Sequence, residues 1–99
     1  MDFKVIFKGT FLEDLERLVR LIAASDPAAA RNLGESIIAA GEDLCFFPER
    51  YPKVRQRPGV RRYIVKKHFK VFYRVRRGSR TVEILRCWDA RRETDPVIP

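Results

Sequence analysis

The sequence predicts an α+β domain with the element order β-α-α-β-β-β, in which an antiparallel sheet of about four strands carries a helical hairpin on one face. Two observations carry this prediction. Three runs rich in Val, Ile, Phe and Tyr follow one another in the second half of the chain, and two segments with helical spacing of apolar residues fill most of the first half. At 99 residues the chain has room for one hydrophobic core, so we expect residues 1–99 to form a single domain.

Three strand-like runs cover residues 60–65, 69–75 and 81–88, and each is rich in β-branched and aromatic side chains. Short turns at residues 66–68 and 77–79 separate these runs. Because neither turn has room for a crossover helix, consecutive strands should pair antiparallel and form a three-stranded meander.

The middle run divides its side chains between two faces of the sheet. The odd-numbered positions from Phe69 to Val75 are apolar or aromatic, and we expect them to face the core. The even-numbered positions should face solvent, where they would form a cationic surface: Lys70, Phe72, Arg74 and Arg76.

A first strand and a first helix are predicted near the N-terminus. Apolar and charged residues alternate from Phe3 to Lys8, which indicates a short strand that ends at Gly9. Thr10 and Glu13 have the spacing of a capping box, so the helix should begin there. The apolar residues of its inward stripe recur at helical spacing: Leu12, Leu15, Leu18, Val19 and Ile22.

A second helix is predicted from Pro27 to about Cys45. Asp26 followed by Pro27 suits a helix start, and the residue before Pro48 is pushed out of helical geometry. About two residues join the helices, which favours an antiparallel hairpin. The many small residues of this helix would permit close packing against a neighbour. Its predicted inward stripe consists of Ala30, Leu33, Ile37, Ala40 or Gly41, and Leu44. Residues 48–59, with three prolines and a glycine, should form an irregular basic loop.

Charge is divided unevenly along the chain, whose formal net charge is +8. Residues 50–92 hold 16 Lys or Arg and two acids, a net charge of +14, whereas residues 1–49 carry a net charge of −4. Such an excess is more than solubility requires, so it indicates a surface for an acidic partner or for nucleic acid. A membrane surface is a poorer partner, because these cations lie on predicted strands and not on an amphipathic helix.

The sequence contains no motif for a metal ion or a cofactor, so we expect neither. Cys45 and Cys87 lie far apart without a CxxC or histidine pattern, which favours free thiols in the core. No apolar run is long enough to span a membrane, and the first residues do not have the pattern of a signal peptide. We therefore expect a cytoplasmic protein.

Several segments, in their order and spacing, are similar to one family of small bacterial proteins. The helix from Leu15 to Ile22 comes first. A helix start at residues 26–30 and a helix exit at residues 44–48 follow it. Two strands come next, at residues 60–63 and 69–75, and the last two segments are residues 82–86 and 90–91. Together they resemble the RelE/ParE toxins of type II toxin–antitoxin modules over nearly the whole chain. This resemblance implies a compact sheet with a helical hairpin, and a cognate antitoxin whose C-terminal segment wraps the toxin.

The resemblance implies one of two activities. RelE-like members cut mRNA on the ribosome, whereas ParE-like members inhibit DNA gyrase. Ribonuclease members resemble one another in a Tyr or His near the C-terminus, and residues 93–99 contain neither. Lys70 stands where those members have a catalytic arginine, His68 falls in a predicted turn, and Tyr63 and Tyr73 fall on the predicted core face. The sequence therefore favours a ParE-like toxin that binds gyrase, with no catalytic residue assigned.

Two alternatives remain open. One is a RelE-type, metal-independent endoribonuclease that acts on mRNA at the ribosome; the other is a non-toxic module that binds an antitoxin or nucleic acid. In each case the candidates for contact with the target or the antitoxin come from the basic half: Arg61, Arg62, Lys70, Arg74, Arg86, Trp88, Arg91 and Arg92. We hypothesise that the arginines of this set face either the antitoxin or the target, one partner excluding the other.

Overall fold

The computed structural model describes residues 2–92 and 94–99 and contains the predicted order of elements. One sheet has the strand order β1-β4-β3-β2. Its strands are β1 (Lys4–Phe7), β2 (Val60–Val65), β3 (Phe69–Arg76) and β4 (Thr81–Asp89). Helices α1 (Gly9–Ala23) and α2 (Pro27–Glu42) pack on one face, and single 3-10 turns follow α2 at Asp43–Cys45 and Pro48–Arg50. The α+β class, the element order and the position of the helical pair are confirmed.

The sheet is mixed, which corrects the prediction of an antiparallel sheet. Strands β2, β3 and β4 form the predicted antiparallel meander. Strand β1, however, pairs parallel with β4, with Val5 opposite Val82 and Phe7 opposite Ile84. The alternation of apolar residues along β1 is the same for either strand direction, so the sequence pattern cannot distinguish them.

The start of α1 also differs from the prediction, because Lys8 and not Thr10 is the N-cap residue. The Thr10 hydroxyl donates instead to the carbonyl oxygen of Leu85, 2.6 Å away. The inward stripe is rotated as well: Phe11 is fully buried, whereas Leu12 is 48% exposed. Thr10 therefore contacts strand β4 and does not form the predicted capping box.

The start and the packing of α2 agree with the prediction. The Asp26 carboxylate accepts a hydrogen bond from the Ala29 amide at 3.0 Å, and Pro27 occupies the first turn. At the other end Gly41 permits a close approach, since a Cβ atom there would lie 2.8 Å from the ring of Phe7. The buried stripe contains the predicted residues Ala30, Leu33, Ile37 and Gly41.

Each face of the sheet has a hydrophobic cluster, whereas only one face was predicted to be buried. The main core lies between the sheet and the helices and includes Val71 and Tyr73. A second cluster on the opposite face consists of Val60, Phe72 and Leu85. Phe72 is fully buried there. The predictions that Phe72 faces solvent and that this face is an open cationic surface are therefore wrong.

Both cysteines are free, as predicted, with Cys87 in the core and Cys45 half-buried. Within residues 2–92 and 94–99, no helix is long and apolar enough to cross a bilayer. The same residues contain no group of three or more His, Cys, Asp or Glu side chains that could hold a metal ion.

Candidate functional site

Residues 94–99, which we call the C-terminal segment, cross the second face of the sheet and bind four of the eight predicted contact residues. The Lys70 ammonium lies 2.7 Å from Oδ1 of Asp95. The indole Nε1 of Trp88 donates to the carbonyl oxygen of Thr94 at 2.7 Å. Both side chains thus have partners within the chain. Position 93, where the stretch without a Tyr or His begins, lies outside the described residues.

The remainder of the C-terminal segment completes the cover of this face. Arg86 Nη1 donates to the carbonyl oxygen of Val97 at 2.9 Å, and Arg74 Nη1 donates to that of Pro99 at 3.4 Å. Between these contacts Pro96 is fully buried, and Ile98 packs on the second cluster. The C-terminal segment therefore occupies part of the surface that the sequence assigned to a partner.

Arg86 has a second partner, which sequence reasoning missed. Its Nε and Nη2 atoms lie 2.7 and 2.9 Å from the two carboxylate oxygens of Asp14, which is only 2% exposed. The hydrogen bonds that Arg86 donates to the Asp14 carboxylate raise the pKa of Arg86. Asp14 could have been found from its spacing, because Phe11, Asp14 and Leu18 stand at i, i+3 and i+7 on the buried side of α1.

Arg61 and Arg62 lie on opposite faces of β2. The Arg61 guanidinium donates to the carbonyl oxygens of Glu49 at 3.0 Å and Tyr51 at 2.7 Å, and its side chain is only 16% exposed. It thereby anchors the segment that follows α2. Arg62 alternates onto the face of the second cluster, where it is half-buried.

Arg91 and Arg92 are the exposed members of the predicted set, and both directly follow β4. Arg91 Nε and Nη2 donate to the Asp89 carboxylate at 2.9 and 2.8 Å, and this hydrogen bonding lowers the pKa of Asp89. The Arg92 guanidinium lies 4.3 Å from the centre of the Trp88 ring, within the range of a cation–π contact.

The turn between β2 and β3 adds further cations to the same end of the sheet. The His68 carbonyl oxygen accepts a hydrogen bond from the Ala90 amide at 2.5 Å, so the turn lies beside the exit of β4. Lys66 and Lys67 in this turn are exposed. We name the resulting surface the cationic end: Lys66, Lys67, Trp88, Arg91 and Arg92.

Tyr63 and Tyr73 are buried in the main core, as predicted from the alternation of β2 and β3. The Tyr73 hydroxyl donates to the carbonyl oxygen of Pro48 at 2.5 Å, and burial raises the pKa of Tyr73 to about 12. Burial also raises the pKa of Tyr63, whose hydroxyl has no hydrogen-bond partner among the described residues. Neither phenol can exchange a proton with a substrate on the surface.

A groove at the opposite end of the sheet was missed entirely. Its volume is about 610 Å³, and it lies where the exit of α2 meets the start of β1 and the turn between β3 and β4. We name it the aromatic groove, after the residues that line it: Phe3, Phe46, Phe47, Pro48, Glu49, Arg50, Arg77 and Arg80. In the sequence, the adjacent Phe46 and Phe47 were interpreted only as a helix end.

Residues 5–94 match the family model of the ParE toxin of the type II toxin–antitoxin system, parDE. The chain belongs to the ParE toxin family. This ParE match extends from β1 through both helices to the residues after β4, and it confirms the family resemblance. A comparison with curated protein sequences gave no significant match.

Solved toxin structures share the fold of this ParE-family chain. The chromosomal ParDE system of P. aeruginosa superposes with a TM-score of 0.75 and 18% identity, covering 88% of this chain and 95% of that one. The RelBE2 complex of Mycobacterium tuberculosis gives 0.65 and 24%, covering 90% and 99%. A mutant of the E. coli toxin RelE in the free state gives 0.68 and 14%, covering 92% and 86%. At these identities the likeness shows the fold alone.

Proposed function

We propose that this ParE-family toxin acts in the cytoplasm and inhibits DNA gyrase by binding it, and that a cognate antitoxin neutralises it. One observation carries the proposal: the cations of the cationic end are exposed, whereas the phenols of Tyr63 and Tyr73 are buried with raised pKa values. Metal-independent RNA cleavage needs groups that move protons beside the cations that hold a phosphate. The cationic end therefore suits binding better than cleavage.

Within the predicted contact set we assign the gyrase contact to Trp88, Arg91 and Arg92. Tryptophan and arginine are the side chains that most often dominate the energy of protein interfaces. Arg61 and Arg86 instead hold the chain together, through Glu49 and Asp14 respectively. We assign the remaining members a role beneath the C-terminal segment or beside it: Arg62, Lys70 and Arg74.

The antitoxin partner follows from the toxin–antitoxin system that the family model names. An acidic antitoxin segment would complement the cationic end, and carboxylates bound to Arg91 and Arg92 would exclude the target from the same side chains. From the sequence, we hypothesised that the antitoxin and the target compete for six arginines. We now restrict this hypothesis to Arg91 and Arg92.

A specific observation favours the ribosome-dependent endoribonuclease as the second candidate. His68 lies beside the exit of β4, where its carbonyl oxygen accepts the Ala90 amide next to Asp89. A histidine near a carboxylate and exposed arginines is one arrangement that supports acid–base cleavage of RNA. Under this alternative, His68→Gln would abolish mRNA cleavage, whereas under the leading proposal it would leave gyrase inhibition intact.

Two assays of the purified protein, run in parallel, test the proposal. The first follows supercoiling of relaxed plasmid by gyrase, and the second follows cleavage of mRNA on translating ribosomes. The proposal expects inhibition in the first assay and intact mRNA in the second. Cleavage with unaffected supercoiling would favour the endoribonuclease. No response in either assay would favour a non-toxic binding module.

A further inference from the structure

The aromatic groove exposes two large apolar side chains that are adjacent in the sequence. Phe46 is 49% exposed and Phe47 is 82% exposed. Phe3 and Pro48 line the groove beside them. A contiguous exposed apolar surface with a charged rim is typical of a site that another molecule covers.

The backbone at Phe47 is held in an unfavourable conformation. Its φ and ψ angles of 47° and 56° lie in the left-handed region, which a bulky side chain rarely adopts. Two contacts hold the turn that follows: the Tyr73 hydroxyl binds the Pro48 carbonyl oxygen, and Arg50 Nη2 lies 2.6 Å from the Asp43 carboxylate. One contact from the core and one at the surface thus hold a strained residue whose side chain is exposed, and strain of this kind is concentrated at functional sites.

The rim of the aromatic groove carries a net positive charge, with Arg50, Arg77 and Arg80 against Glu49. Arg77 pairs with Glu49 at the surface, and its side chain is 74% exposed. The Arg80 guanidinium lies over the ring of Phe3, 4.5 Å from its centre. The exposed Arg77 guanidinium can exchange its internal carboxylate for one from a partner.

We propose that the aromatic groove binds an acidic peptide segment of another protein. The segment would insert one aromatic or aliphatic side chain beside Phe46 and Phe47 and place a carboxylate on Arg77. A nucleic acid fits less well, because the Arg80 guanidinium covers one face of Phe3 and a base could not stack there.

This site goes beyond the proposed function because it lies at the other end of the sheet from the cationic end. The eight residues of β3 separate the two surfaces by about 25 Å, at roughly 3.3 Å per residue. A peptide in the aromatic groove would therefore leave Arg91 and Arg92 exposed.

Selection from a phage-displayed library of random decapeptides tests the proposal. We expect the enriched peptides to carry Asp or Glu around an aromatic or aliphatic residue. Phe47→Gly and Arg77→Glu should each weaken the selected peptide by about tenfold or more. Glycine suits the left-handed backbone, so Phe47→Gly should fold with an unfolding temperature no lower than that of the wild type.

Matched controls on α1 are Leu21→Ser, which removes another exposed apolar side chain, and Arg20→Glu, whose side chain is 74% exposed like that of Arg77. Both should leave peptide binding unchanged. The proposal would be overturned by a library that yields no enriched sequence, by peptides without acidic residues, or by equal losses in the control variants. Displacement of the peptide by a single-stranded oligonucleotide, with loss of oligonucleotide binding in Phe47→Gly, would identify a nucleic-acid site instead.

Discussion

Asp14 and Arg86 form a two-point ion pair between α1 and β4, and the same carboxylate accepts the backbone amide of Cys87 at 3.1 Å. The four residues of β1 pair with only the first part of β4, and beyond them Asp14 accepts a backbone hydrogen bond from the same edge of β4. The Thr10 hydroxyl binds the carbonyl oxygen of Leu85 on the same edge. Side chains of a helix therefore extend the pairing of a central strand.

Replacing Asp14 should destabilise the fold strongly. Asp14→Ala would leave the Arg86 guanidinium and the Cys87 amide without their shared acceptor. We expect a loss of about 3 kcal/mol in the free energy of unfolding, measured in urea, because breaking a buried pair leaves one charge uncompensated. The control is Glu16→Ala, which removes an exposed pair with Arg20 on the same helix and should cost only about 0.5 kcal/mol. Equal losses in the two variants would contradict this role of Asp14.

The two buried tyrosines should respond in opposite ways to removal of the hydroxyl. Tyr73→Phe deletes the donor to the Pro48 carbonyl oxygen and should cost about 1 kcal/mol. Tyr63→Phe removes a buried hydroxyl without a partner among the described residues, so it should be neutral or stabilise the fold by up to about 1 kcal/mol. Urea unfolding of both variants checks the difference. A larger loss for Tyr63→Phe would mean that its hydroxyl has a partner.

The two thiols should differ in reactivity. Burial raises the pKa of Cys87 to about 12, so hardly any of this thiol is in the reactive thiolate form at pH 8. Cys45 is half-buried. Iodoacetamide should therefore modify one cysteine in the folded protein and both in urea, and peptide mass mapping should assign the fast site to Cys45. Fast labelling of Cys87 in the folded protein would show that the interface between α1 and β4 opens.

Removal of the C-terminal segment should destabilise the fold and uncover charge. Deleting residues 94–99 exposes the second cluster of Val60, Phe72 and Leu85 and releases Lys70 and Arg74. We expect a loss of about 2 kcal/mol in unfolding free energy, together with stronger, salt-sensitive binding to nonspecific DNA. Asp95→Asn removes only the partly exposed pair with Lys70 and should cost less than about 1 kcal/mol. Unchanged stability after the deletion would contradict the role of this cover.

The sequence predicted the strands of the meander to within one residue at each end, because alternation and turn residues are local signals that the tertiary structure here reinforces. The start of α2 at Asp26 was predicted for the same reason. The partner predicted for Thr10 was wrong, because its hydroxyl binds the Leu85 carbonyl oxygen on β4 and not the start of its own helix. The spacing of residues along the helix cannot reveal a partner on a distant strand.

The candidate site was less predictable than the fold. The alternation of side chains along β3 placed Phe72 on the face predicted to be cationic. Phe72 is buried on that face, so another segment must cover it, and no segment close in sequence was predicted to do so. That cover comes from residues 94–99, where the buried or half-buried Pro96 and Ile98 alternate with exposed Asp95 and Val97. Two prolines in six residues hid this pattern. Partners of Lys70, Arg74 and Arg86 so distant in sequence could not be inferred from local spacing.

Gyrase supercoiling by wild-type protein and by an Arg91→Glu, Arg92→Glu variant tests the central claim most directly. Arg20→Glu serves as a control for reversal of an exposed arginine. We expect the wild type and the control to inhibit supercoiling alike, and the double variant to need at least about tenfold more protein for the same inhibition. Undiminished supercoiling in the presence of the wild type, or equal inhibition by the double variant, would contradict a toxin that binds gyrase through its cationic end.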